Sequence, residues 1–141
     1  MRNPAKFFLV CFIWIFVFTL LPAPRGVRAE RGSDYVVNAS TDQVDLNPGD
    51  GFCLTSGGNC SLRAAIQESN AYSGANKITF SVPTVVLNSP LPVLSDTSGG
   101  TTIYGAGTVY ILGTLATPSP VDGFVISTNG NKIQGGKYSW I

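Results

Sequence analysis

The chain has 141 residues, 44% of them hydrophobic and 12% charged, with nine basic side chains, eight acidic ones and no histidine. The missing histidine excludes a serine triad built on that base, and the near-neutral balance excludes the basic surface that nucleic acid requires. One domain at most fits this length.

Arg2 and Lys6 precede an apolar run, Phe7 to Leu21, which Pro22 and Pro24 interrupt. Val27-Arg28-Ala29 then offers small residues where a signal peptidase reads. The pattern predicts a secretory signal peptide over 1–29, cleaved after Ala29. A membrane anchor is the rival reading. Fifteen residues at about 1.5 Å each reach only roughly 22 Å, short of a hydrocarbon core near 30 Å. Cys11 is no lipid-attachment site, because Val10 precedes it and the apolar run continues beyond it. Export leaves Glu30 to Ile141 with five basic and eight acidic side chains, a net charge of −3. The expected location is secreted or at the cell surface, with no membrane attachment after cleavage.

Glu30 to Ser33 is a polar lead-in and Tyr35-Val36-Val37 a short strand. Thr41 to Gly58 reads as a loop, marked by Asn47-Pro48-Gly49-Asp50-Gly51 and by Gly57-Gly58. Asp42, Asp45 and Asp50 lie close together in it and are the candidate ligands for calcium, a hard cation that needs several oxygens. Their spacing is not that of an EF-hand loop. The plainer reading has Asp42 and Asp50 capping turns and Asp45 solvated. Cys53 and Cys60 remain as an even pair in an exported chain, which predicts a disulfide. The competing metal site has two thiols and no histidine, too few ligands for closed zinc coordination.

Cys60 to Ala71 reads CSLRAAIQESNA, and its physics is that of one short helix. Ser61 is the N-cap, its hydroxyl accepting from an unpaired first-turn amide. Leu62, Ala65 and Ile66 form an apolar stripe, while Arg63, Gln67 and Glu68 face elsewhere. Ser73-Gly74 ends the helix. It is too short to stand alone in water and must lie on something.

This stretch, with DLNPGDGFC before it and KITF after it, resembles the CSLREA-type N-terminal domain of bacterial secreted and surface proteins built as right-handed parallel β-helices. The likeness runs from about Tyr35 to Phe80. It implies that Ser61, Leu62, Arg63 and Ile66 are structural parts of a cap at the start of a stack of coils. Arg63 is expected to pair with Glu68 or with backbone carbonyls; anion binding is its functional alternative. Where the family has Glu, this chain has Ala64, so the reciprocal half of a capping box is missing. On sequence grounds, Ala64→Glu is expected to raise the melting temperature.

Downstream of Lys77 the helical period gives way to short β-branched or aromatic runs: Ile78–Phe80, Val85–Leu87, Thr101–Tyr104, Val109–Leu112, Phe124–Ile126 and Lys132-Ile133. Phe80, Ile103 and Val125 are 23 and 22 residues apart, and Val86, Ile111 and Ile133 are 25 and 22 apart. Two interleaved series with one period predict a solenoid with several strands per coil. A β-sandwich is the alternative on spacing alone. The expected fold is therefore mostly β: the start of a right-handed parallel β-helix, about two to three coils, behind a short capping helix and a disulfide-closed loop. The expected organisation is 1–29 signal peptide, 30–76 cap, and 77–141 first coils, apparently truncated. Further coils, or self-association at the open C-terminal end, would have to cover the last strands.

Nothing in this pattern gathers catalytic chemistry. Asp96 and Asp122 sit in turn contexts rather than as a pair for glycoside hydrolysis, and Lys132 alone makes no lyase site. Asn38-Ala39-Ser40 and Asn59-Cys60-Ser61 match glycosylation acceptors, which matter only in a eukaryotic secretory pathway. Tyr104, Tyr110, Tyr138 and Trp140 would stack on sugars if they pointed outward, but core packing or exposure at the stack end is the expected reading. The resemblance implies no enzyme and no cofactor: an exported module capping an adhesin-like surface or secreted protein, presenting loops to a glycan or cell-surface ligand. The alternative is the front of a β-helix polysaccharide lyase or hydrolase whose active coils lie elsewhere.

Overall fold

A computed structural model describes residues 32–113 and 123–139. The expected signal peptide, Asp122 and Trp140 lie outside the described residues. The elements are β1 (Asp34–Val37), α1 (Leu62–Ala71), β2 (Asn76–Phe80), β3 (Thr84–Val86), β4 (Thr101–Tyr104), β5 (Tyr110–Leu112), β6 (Lys132–Gln134) and β7 (Lys137–Ser139). From β2 onward, successive strands alternate between two sheets, ordered β1-β2-β4-β6 and β3-β5-β7. Every neighbouring pair is parallel. Parallel neighbours need a crossover connection; between β1 and β2 it carries α1, and from β2 onward it carries a strand of the other sheet. Leu94 and Ile126 add a third parallel contact, as a single bridge.

Alternation within each strand sets the core. Tyr35 and Val37 of β1, Ile78 of β2, Ile103 of β4, Val85 of β3 and Ile111 of β5 are buried, and they join Leu87, Leu91, Leu94 and Val109 in one cluster. Leu62 and Ile66 of α1 complete it against the first strands. Each such side chain contributes roughly 1.5–3 kcal/mol when withdrawn from water. A ten-residue helix gains its stability from this contact and not from its own propensity.

The strand runs form largely where the sequence places them, but they stack differently. Ile78, Ile103 and Ile133 are partners in one sheet, 25 and 30 residues apart. Val85, Ile111 and Tyr138 are partners in the other, 26 and 27 apart. Neither series is the one that equal spacing predicts. The reason is local. Val85 to Leu94 covers nine residues, whereas Ile111 to Ile126, the bridge partner of Leu94, covers 15. This longer connection moves Ile126 to a lone bridge, puts Ile133 over Ile103, and leaves Lys137–Ser139 to close the second sheet.

One corner requires glycine. Gly100 (φ +79°) and Gly130 (φ +93°) adopt left-handed backbone on successive passes of the chain. A Cβ at Gly100 would approach the Gly130 carbonyl carbon to 2.5 Å, so the two passes touch backbone to backbone.

Candidate functional site

The start of α1 is tied to the loop before it. The Ser61 hydroxyl accepts from Ala64 N at 3.0 Å and donates to the Gln43 carbonyl at 2.5 Å, tying α1 to the preceding loop. Leu62 and Ile66 face the core as expected. Ala64 is also fully buried. A glutamate there would have to displace packed atoms, and the expectation that Ala64→Glu stabilises the chain is reversed.

Arg63 reaches outward from the helix to two distant segments. Its Nε and Nη2 donate to the two carboxylate oxygens of Asp42, both at 2.8 Å. Nη1 donates to Pro90 O at 2.9 Å, and Nη2 also to Ser89 O at 2.9 Å and Ser89 Oγ at 2.6 Å. Asp42 accepts in addition from the N–H groups of Asn88 and Ser89. The Asp42 side chain is 1% exposed and that of Arg63 11%. Planar, fork-on-fork pairing suits guanidinium and carboxylate. The expected backbone carbonyls are there, but Glu68 is not the acidic partner, and few donors remain for an anion.

Glu68 is fully buried, and its two oxygens accept from the N–H groups of Gly49 and Gly51. The sequence reading had it facing away from the core. An apolar stripe shows only the flank that meets the sheets; the flank of α1 that carries Glu68 is covered by the chain's own loop. Asp45 is likewise buried and not solvated. Its Oδ1 accepts from Asn47 N at 2.9 Å and its Oδ2 from Leu54 N at 3.0 Å, while its own N–H donates to Gln67 Oε1 at 2.9 Å. Asp50 Oδ1 accepts from Phe52 N, a local turn. The three calcium candidates are thus engaged separately. Among the described residues no group of three acidic, Cys or His side chains is placed to hold a metal ion.

Cys53 and Cys60 form a disulfide, their Cα atoms 5.1 Å apart. The closed loop lies beside the outer edge of β1. Cys60 O accepts from Asn38 N at 3.0 Å and Cys60 N donates to Asn38 Oδ1 at 2.8 Å, which completes that edge at one residue. Below this rung a groove of about 370 Å³ opens between β1 and the loop, bordered by Asp34, Val36, Phe52 and Leu54. Phe52 is 72% exposed.

The outer faces of the strands carry the remaining cations. Asp34, Lys77, Thr102 and Lys132 lie in one register row. Lys77 Nζ is 5.8 Å from the Tyr104 ring centroid and Lys137 Nζ is 5.4 Å from that of Tyr110. Both rings point outward and not into the core. Cation–π contacts at such exposed sites contribute about 0.5–1 kcal/mol.

Asp96 is buried and accepts from Ser98 N, Ser98 Oγ and, at longer range, Thr101 Oγ1 and Asn76 Nδ2. It does serve a turn, and it also links two passes of the chain. The Tyr35 phenol is pushed up to about 12, chiefly by burial, with the Glu68 carboxylate adding to the effect. Asp42, Asp45, Glu68 and Asp96 are therefore engaged in holding the loops around α1 and the turn before β4. No protein-family model matches the chain, and neither a curated protein nor a solved structure does.

Proposed function

We propose that the chain is an exported, non-catalytic β-helix module: a cap and first coils of a secreted or cell-surface protein that displays its outer faces to a glycan or cell-surface ligand. One observation carries this reading. Strands β2 to β7 alternate between two all-parallel sheets in matched register, with a single further parallel bridge between Leu94 and Ile126. Winding of this kind accounts for the cross-linked loop and helix between β1 and β2: the first strands have an open end whose apolar core must be covered. The committed carboxylates support a role in display over one in turnover. The apolar N-terminal run and the disulfide support export.

The test has two parts. The secreted product should begin at Glu30 and show methyl contacts joining Ile78, Ile103 and Ile133 in one column. Contacts from Ile103 to Val125 instead would discard the winding. The purified protein should be retained on a subset of an immobilised glycan panel without shortening any of them. Release of new sugar ends would make it an enzyme.

A further inference from the structure

The outer edge of β1 is built to receive another strand. In the β1–β2 ladder, Lys77 N donates to Ser33 O and Ser81 N to Val37 O, so Ser33, Tyr35 and Val37 direct their backbone groups toward β2. The alternation of a parallel ladder turns those of Asp34, Val36 and Asn38 the other way. Asn38 is satisfied by Cys60. Asp34 and Val36 are not satisfied by any described residue, and it is beside them that the groove opens. Val36, Phe52 and Leu54 border it with 50%, 72% and 43% exposure.

We propose that this groove binds a short extended peptide segment of a partner protein by strand addition to β1, with an apolar side chain against Phe52 and Leu54 and a basic one beside Asp34. Main-chain bonds to Asp34 and Val36 would supply the affinity and the groove the choice of side chain, as in other strand-addition sites. Charge decides the basic residue: among the described residues Asp34 is the only charged side chain bordering the groove. Size decides between a peptide and a second copy. Cys60 closes the edge at Asn38, leaving room for roughly three to four residues at about 3.3 Å each. A stable dimer needs about 800 Å² from each partner, far more than three apolar side chains beside two free residues present.

The probe is the blocked peptide acetyl-Lys-Val-Thr-Val-Lys-amide, titrated into the ¹⁵N-labelled secreted chain. Saturable shifts of the Asp34, Val36, Phe52 and Leu54 amides are expected, at a Kd near ~1 mM. An analogue N-methylated at its central residues should weaken binding at least tenfold. Two variants separate the components. Val36→Pro removes only an outward N–H and is compatible with an edge strand; Phe52→Ser leaves β1 untouched. Each should weaken binding at least fivefold, and Phe52→Ser serves alone if Val36→Pro does not fold. No saturable shift at Asp34 and Val36, or equal binding of the N-methylated analogue, overturns the proposal. So do shifts of the same amides on simple concentration of the protein without peptide, which would assign the edge to a second copy.

Discussion

Asn76 and Asn131 hold the same position on different passes of the chain and make the same bond. Asn76 Oδ1 accepts from Ser33 N at 2.9 Å, just ahead of β1, and Asn131 Oδ1 accepts from Thr101 N at 2.7 Å, at the start of β4. In each case a carboxamide just before or at the start of one strand satisfies the backbone of the preceding strand where the ladder begins. Thr101 is fully buried, so water cannot replace that acceptor.

Asn131→Ala should therefore cost about 1–3 kcal/mol, the desolvation cost of an unpaired buried N–H. Asn131→Asp should cost less, since it keeps the acceptor and loses the donations to Thr128 Oγ1 at 2.6 Å and, at longer range, to Asp96 O and Thr128 O. Denaturant midpoints at unchanged slope would measure both. Equal losses for the two variants would mean that the amide donor, and not the acceptor, holds the corner.

The ion pair between Arg63 and Asp42 leads to a second expectation. Removing one partner leaves the other charge buried and uncompensated, a loss of about 3–5 kcal/mol. Arg63→Lys should lose much of this, because an ammonium cannot span both carboxylate oxygens and the Ser89 and Pro90 carbonyls together. Joint replacement of both residues should cost well below the sum of the single losses. Additive losses would show that each residue acts through its backbone partners alone.

Legibility followed locality. Ser61 as cap, Leu62 and Ile66 as its buried face, the Cys53–Cys60 disulfide and the edges of Thr101–Tyr104 are set within a few residues, and the sequence displays them. Pairing was not legible, because it depends on the length of connections that carry no pattern. Equal spacing matched Phe80 to Ile103 to Val125, while the longer run from Ile111 to Ile126 made Ile78, Ile103 and Ile133 the true column. Charged residues misled for a related reason. Asp45 and Glu68 stand in polar sequence, and their burial comes from a loop folding over the helix. Pairs of glycines next to such acids, as at Gly49 and Gly51, are the one signal that backbone N–H groups are free to meet a carboxylate. The edge groove left no signal at all, since it depends on where Cys60 meets Asn38.

Glu68→Gln tests that loop. A carboxylate offers an acceptor to both Gly49 and Gly51, whereas an amide must turn an NH₂ toward one of them. A loss of about 1–3 kcal/mol is expected. Hydrogen exchange should quicken at Gly49 and Gly51 and stay unchanged in β4. Uniform quickening would indicate that the loop opens only with the whole fold.

Ala64→Glu should lower the melting temperature, against the capping-box argument. The reciprocal bond to the N-cap amide would be worth part of the roughly 1 kcal/mol of a cap. Burying a carboxylate at a fully covered position costs more unless it is fully paired. A rise in melting temperature would show that the Gln43 loop yields enough for the side chain to reach the cap.

Burial of Tyr35 gives the fold a pH dependence above pH 10. Its hydroxyl is buried without a hydrogen-bond partner among the described residues, and its ionisation is raised from 10.0 to about 12, mainly by burial. The unfolded chain thus releases this proton before the folded one does. Whatever Tyr35 contributes is fully present below pH 10 and is lost as pH rises toward about 12. A shift of that size corresponds to about 2–3 kcal/mol. Tyr35→Phe should be neutral or slightly stabilising at pH 7, since no bond is lost, and should reduce the decline above pH 10 by that amount. The variant is compared with the parent at each pH by denaturant midpoint. Parallel decline of the two proteins would mean that the phenol reaches water before the cap unfolds.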